Sequence, residues 1–226
     1  MSRPRAVCPT AWLLAVFLIG CAGGTSPSLS ATQFPAAAAS PSAISSTPAV
    51  PSSESSGSSG APATRLVIPA LGVDLPVIAG VTDAQGNPVF PPCDVASYLP
   101  YYVQPAQAGT TYLYAHARRG MLLPLLEASR VNDGAALIGQ EVDVYTSDGR
   151  RYVYQGFVVE RHTTDYSLAD AVAPGEQRLI VQTSEGPADD PNKVQLGAHL
   201  VSSEPGPIHV ARPSAAPREC SPDSTE

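Results

Sequence analysis

Glu141-Val-Asp-Val-Tyr-Thr-Ser-Asp-Gly-Arg-Arg-Tyr-Val-Tyr-Gln-Gly-Phe-Val-Val-Glu160 contains two runs rich in Val and Tyr, separated by Ser147-Asp148-Gly149-Arg150. Branched and aromatic residues suit a pleated, half-buried surface, and a glycine supplies the positive φ that a tight turn demands. The stretch therefore predicts a β-hairpin. Further runs of the same kind lie at Arg65–Ile68, Val73–Ile78, Thr110–Ala115, Arg178–Thr183 and Lys193–Val201. Helical signals are few. Gly120–Ser129 fits one short helix, with Pro124 tolerated in its first turn, and Ser167-Leu-Ala-Asp170 reads as a capping box opening another. Many short strands with one or two small helices predict a mainly β fold, a closed or nearly closed barrel.

The strands occupy only part of the 226 residues. At the front, Arg3 and Arg5 precede the apolar run Ala11–Ile19, which is short for a bilayer span and long enough for a signal-peptide core. Leu18-Ile19-Gly20-Cys21 resembles a bacterial lipobox, so residues 1–20 read as a signal peptide and Cys21 as the site of lipid attachment. Acyl chains on Cys21 would hold the protein on the membrane at about 0.8 kcal/mol per buried CH2. From Ala22 to Pro62 nearly every residue is Ser, Pro, Ala, Gly or Thr, a composition that cannot bury a core. Residues 21–63 thus read as a lipidated cysteine and a flexible linker with a root-mean-square span of about 35 Å. Residues 64–203 form the folded domain, and the Pro-rich residues 204–226 are expected to be a disordered tail.

Thirteen basic and 20 acidic residues give a net charge of −7, which argues against nonspecific binding of nucleic acid. Phosphate-binding loops, dinucleotide fingerprints, HExxH, CxxC and GxSxG are all missing, and the four histidines are scattered. No metal or cofactor is expected, nor does any pattern call for self-association, so a monomer is expected. Cys93 and Cys220 would share a disulfide-permissive compartment, but spacing alone gives no reason for them to meet.

Two segments carry more: Thr111-Tyr-Leu-Tyr-Ala-His-Ala-Arg-Arg-Gly120 with Met-Leu-Leu-Pro-Leu-Leu126, and Leu179-Ile-Val-Gln-Thr-Ser-Glu-Gly-Pro187 with Lys193-Val-Gln-Leu-Gly-Ala198. They resemble sortases. In that family one strand delivers a histidine before a Phe/Leu-rich segment, a later strand ends in Thr-Leu-x-Thr-Cys, and an arginine opens the final strand. His116 matches the histidine, Ser184 falls on the cysteine position and Lys193 on the arginine position. Arg65-Leu-Val-Ile-Pro-Ala-Leu-Gly-Val73 looks like the family's opening strand. The resemblance implies an eight-stranded barrel and a peptide or surface-protein substrate outside the cytoplasm.

The replacements bear directly on chemistry. The family's cysteine attacks a peptide carbonyl as a thiolate and passes the acyl group to an amine, whereas a serine needs a base during the step. Lys193 lacks the planar fork of an arginine, for which Arg118, Arg119 and Arg178 are alternative sources. Three expectations follow: acyl transfer or hydrolysis with Ser184 as nucleophile, His116 as base and Lys193 at the oxyanion; a catalytically silent module that binds an extended cell-envelope peptide; or thiol chemistry recruited from Cys93.

Overall fold

The computed structural model describes residues 60–187 and 190–220, so the signal peptide, Cys21 and nearly all of the linker lie outside the described residues. The predicted hairpin forms from β5 (Glu141–Thr146) and β6 (Arg150–Thr163), paired antiparallel from Glu141 opposite Gln155 to Tyr145 opposite Arg151. Gly149 takes φ 82° in the turn and its N–H donates 2.9 Å to the Thr146 carbonyl. β6 continues past its partner, bending through three register shifts. One flanks Gly156, where an added Cβ would lie 2.4 Å from the Leu137 carbonyl oxygen, so a side chain there would collide with backbone.

Six more strands complete the sheet: β1 (Ala63–Ile68), β2 (Val73–Ala79), β3 (Ala96–Tyr98), β4 (Gly109–Tyr114), β7 (Gln177–Ser184) and β8 (Lys193–Pro205). They close into a barrel in the order β1-β2-β3-β4-β7-β8-β6-β5. Closure leaves no open edge, and the interior is filled by buried Leu66, Ile68, Leu75, Leu113, Val142, Val144, Leu179, Val181 and Leu196. Burying each of these side chains stabilises the fold by about 1.5–3 kcal/mol before conformational entropy is charged against it. β3 has only three residues and no apolar run long enough to announce it; its parallel pairing with β2, Val77 opposite Ala96, creates the strand.

α1 (Leu123–Ser129) forms within the predicted Gly120–Ser129 but starts three residues later, with Pro124 in its first turn, and buries Leu125 and Leu126. α2 (Ser167–Asp170) forms too, but Ser167 is its first helical residue rather than its cap. Tyr166 is the cap residue, and Asp165 just before it accepts 2.9 Å at Oδ1 from the Ser167 N–H.

Residues 206–220, assigned by composition to a tail without structure, lie against the barrel. α3 (Ile208–Ala211) is held where the Arg65 guanidinium donates 3.0 Å to the Val210 carbonyl and the Thr64 hydroxyl donates 2.5 Å to the Ala211 carbonyl. Arg212 then donates 2.9 and 2.6 Å to the Ser147 carbonyl. These bonds join residues far apart in sequence, which a local composition reading cannot register. Beyond them the chain reaches Cys93, with Arg218 in an antiparallel bridge to it and Cys220 bonded to its sulfur.

Candidate functional site

β4 and β7 are neighbours and run parallel, Tyr114 lying opposite Gln182. Two residues further on, beyond the end of β4, stands His116; two residues further along β7 stands Ser184. Lys193 is directly opposite Ser184 on the antiparallel strand β8. Topology thus brings three residues, distant in sequence, to one end of the barrel. Next to them along the strands the Tyr112 hydroxyl donates 2.5 Å to Gln182 Oε1, and Gln195 Nε2 donates 3.1 Å to the Tyr112 oxygen, a polar network in which Tyr112 and Gln195 are fully buried and Gln182 partly so.

His116 is half-buried. Its Nε2 lies 2.6 Å from the Pro91 carbonyl oxygen. A carbonyl only accepts, so Nε2 carries the proton and the lone pair of the neutral ring sits on Nδ1. The Phe90 ring lies nearly parallel to the imidazole, 6° between planes and 6.2 Å between centroids. Burial pushes the imidazole below the usual histidine range; the Pro91 bond works in the opposite direction and Arg118 adds to the lowering. The ring is therefore neutral at pH 7, the state a general base requires.

Ser184 carries no hydrogen bond to His116 among the described residues. Its successor is firmly tied: the buried Glu185 carboxylate accepts 2.9 Å from Arg161 Nε and 3.2 Å from the His162 N–H. The Glu185 N–H donates 3.1 Å to the Asn192 carbonyl, and its own carbonyl accepts 3.2 Å from Arg130. Lys193 turns onto the same loop, its ammonium donating 2.9 Å to the Asp190 carbonyl and 3.4 Å to that of Asn192. Burial lowers the Lys193 pKa, against the pull of Asp190. Two donors beside Ser184 in the fold, the amide of Glu185 and the ammonium of Lys193, are thus already engaged by backbone carbonyls.

A cleft of about 1020 Å3 opens over this end. It is lined by His116 and Ser184, by Phe90, Pro91 and Pro92, by Pro217–Cys220, and by Leu123 and Leu126 of α1. A smaller hollow of about 170 Å3 shares Phe90, Pro91, His116 and Ser184 with it and is lined also by Tyr166 and Lys193. The lining is chiefly apolar with a few polar groups, as ligand pockets are built.

The sequence matches the Sortase domain family over residues 66–200. The chain belongs to the sortase family. Solved structures of sortases resemble it in fold at low identity. Group B Streptococcus Pilus Island 1 sortase C2 is 16% identical over 62% of this chain and 73% of that one, TM-score 0.48. Streptococcus suis sortase C1 is 18% identical over 62% and 73%, TM-score 0.48, and Actinomyces oris sortase C-1 is 16% identical over 62% and 71%, TM-score 0.48. No curated protein matches the sequence.

As a sortase-family barrel, the chain gathers His116, Ser184 and Lys193 where the sequence motifs put them. It does not gather every alternative. Arg178 lies near the start of β7, at the far end of that strand from Ser184, where its Nε donates 2.8 Å to Glu176. Arg118 lines the cleft, whereas Arg119 is exposed and outside it. Cys93 is excluded as a nucleophile because its sulfur is bonded to Cys220, with Cα atoms 5.2 Å apart. The Glu185 clamp and the Pro91 acceptor have no signature in the sequence, since both depend on loops meeting across the barrel end. Among the described residues no group of three His, Cys, Asp or Glu side chains is placed to hold a metal, and no helix is long and apolar enough to cross a membrane.

Proposed function

We propose that this protein is a lipid-anchored sortase-family module, attached through Cys21, that binds an extended cell-envelope peptide in the cleft over Ser184 and His116 without cleaving it. The observation that carries this reading is the state of the catalytic positions. Ser184 replaces the family's cysteine and has no hydrogen bond to His116, while the Lys193 ammonium and the Glu185 amide are engaged by backbone carbonyls. A serine without an aligned base and without a ready oxyanion donor lacks what lowers the barrier to acyl transfer. A cleft remains over these positions: its chiefly apolar lining with a few polar groups suits a peptide.

A second reading is favoured by a different observation. His116 and Ser184 share one cleft and the imidazole is neutral, so a bound peptide that drew the two together would create a serine acyltransferase or hydrolase. Intact-mass analysis separates the two after exposure to fluorophosphonates, peptide chloromethyl ketones and sortase-type peptides. The binding reading expects the parent unlabelled and Ser184→Cys labelled. An adduct on the parent that disappears in Ser184→Ala overturns it in favour of serine chemistry.

A further inference from the structure

The cleft has a wall that does not belong to the barrel. Pro217, Arg218, Glu219 and Cys220 line it together with Phe90, Pro91 and Pro92 and with Leu123 and Leu126 of α1. Three separate attachments hold these residues there. The Cys93 N–H donates 2.8 Å to the Arg218 carbonyl and the Arg218 N–H donates 3.2 Å back, a short antiparallel bridge. The Arg218 guanidinium pairs with the Asp94 carboxylate. Cys220 is covalently joined to Cys93. Cys93 in turn packs against the barrel core, so the wall is fastened to the rigid part of the molecule.

No packing requirement of the barrel explains this arrangement. The buried core is complete without Pro217–Glu219, which are all exposed. Their placement changes the lining of the cleft: with them the space that holds Ser184 and His116 is lined by the C-terminal segment as well as by the barrel and the 90–92 segment, and without them that part of its lining is open to solvent. We propose that Pro217–Cys220 is a specificity-determining wall, held by the Cys93–Cys220 disulfide, that admits a single extended polypeptide strand to the cleft and excludes branched chains and folded surfaces. This rests on the reading of the cleft as a peptide site and adds which shapes of ligand can enter.

The wall is tested by the access it grants, which requires neither a known ligand nor catalysis. In the full-length chain Ser184→Cys provides a reporter thiol in the cleft. Its modification rate is measured by intact mass with iodoacetamide, a slender reagent, and with a maleimide on a bulky branched polyethylene glycol. The comparison is made with the disulfide intact and in Cys93→Ala/Cys220→Ala. The expected result is that iodoacetamide reacts within two-fold equally in both, while the bulky reagent gains ten-fold or more when the disulfide is absent. Deletion of residues 217–226 in the Cys93→Ala background reproduces the gain, and thermal unfolding verifies that each variant is folded.

Equal rates for the bulky reagent, in variants that fold, overturn the proposal and leave the disulfide a purely stabilising link. The peptide-site reading fails separately, through absence of peptide binding by the parent while the access ratio still changes.

Discussion

The hydroxyl of Thr183 donates a 3.0 Å hydrogen bond to the carbonyl oxygen of Ala115, joining the residue before Ser184 to the residue before His116. The bond is buried, and it fixes the ends of β4 and β7 relative to each other at the point from which the chain continues to His116 and Ser184. Thr183→Val keeps the shape and leaves a buried carbonyl short of a partner, a change expected to cost about 1–3 kcal/mol. Chemical denaturation measures it, and the same variant in a Ser184→Cys background should label more slowly if the spacing of His116 and residue 184 matters.

His116 should titrate below an ordinary histidine, because burial disfavours its charged form. Its folded value lies beneath the unfolded one of about 6.5, so the contribution to stability is present above that pH and is lost as pH falls through the folded value. NMR titration of the ring protons gives the value directly. In His116→Gln the corresponding acid-side loss of stability should vanish from a series of unfolding curves recorded across the same window.

Glu185 is 6% exposed at its side chain and holds both Arg161 and the backbone of His162. Glu185→Ala removes the acceptor and strands the Arg161 guanidinium, a loss expected to be about 2–4 kcal/mol. Glu185→Gln keeps one acceptor oxygen and should lose less. Differential scanning calorimetry on the two variants ranks them; equal losses would contradict the clamp.

Lys193→Arg should matter only when a thiol is present. A guanidinium can address a backbone carbonyl and an oxyanion at once, which a single ammonium engaged with Asp190 and Asn192 does not. Ser184→Cys/Lys193→Arg is expected to form a peptide adduct at least ten-fold faster than Ser184→Cys alone, read by intact mass over time. Similar rates would show that residue 193 is not the missing donor.

Removing the Cys93–Cys220 link should destabilise the fold by about 2–5 kcal/mol, since it closes a loop of 127 residues. Urea unfolding of the oxidised parent against Cys93→Ala/Cys220→Ala measures the difference.

Most of the barrel was legible in the sequence because β1, β2, β4, β5, β6, β7 and β8 each carry a run of branched and aromatic residues, and the turn at Gly149 announced its hairpin. β3 was not, since three residues cannot carry a pattern and only the pairing with Val77–Ala79 makes them a strand. Within the site, His116, Ser184 and Lys193 could be found by family motif, since strand order places them together. Pro91, Glu185 and Pro217–Cys220 could not: they reach the cleft through contacts between distant loops, and Pro and Ser in a tail look the same whether a disulfide holds them or not. The folded Cys220 shows the limit clearly, because its neighbours in sequence are those of a disordered segment and its neighbour in space is Cys93.

The position of that cysteine pair also sets an order of events. Cys220 is synthesised 127 residues after Cys93, when every strand of the barrel has already been made. The covalent ring that results encloses β3 through β8 and leaves β1 and β2 outside it. Once formed, the link acts as a latch across β3–β8 and places no covalent constraint on β1 or β2. The β1–β2 hairpin, which closes the sheet between β5 and β3 without being inside the ring, becomes the section through which the oxidised protein can still breathe, and its amides should exchange with solvent before those of β7 and β8.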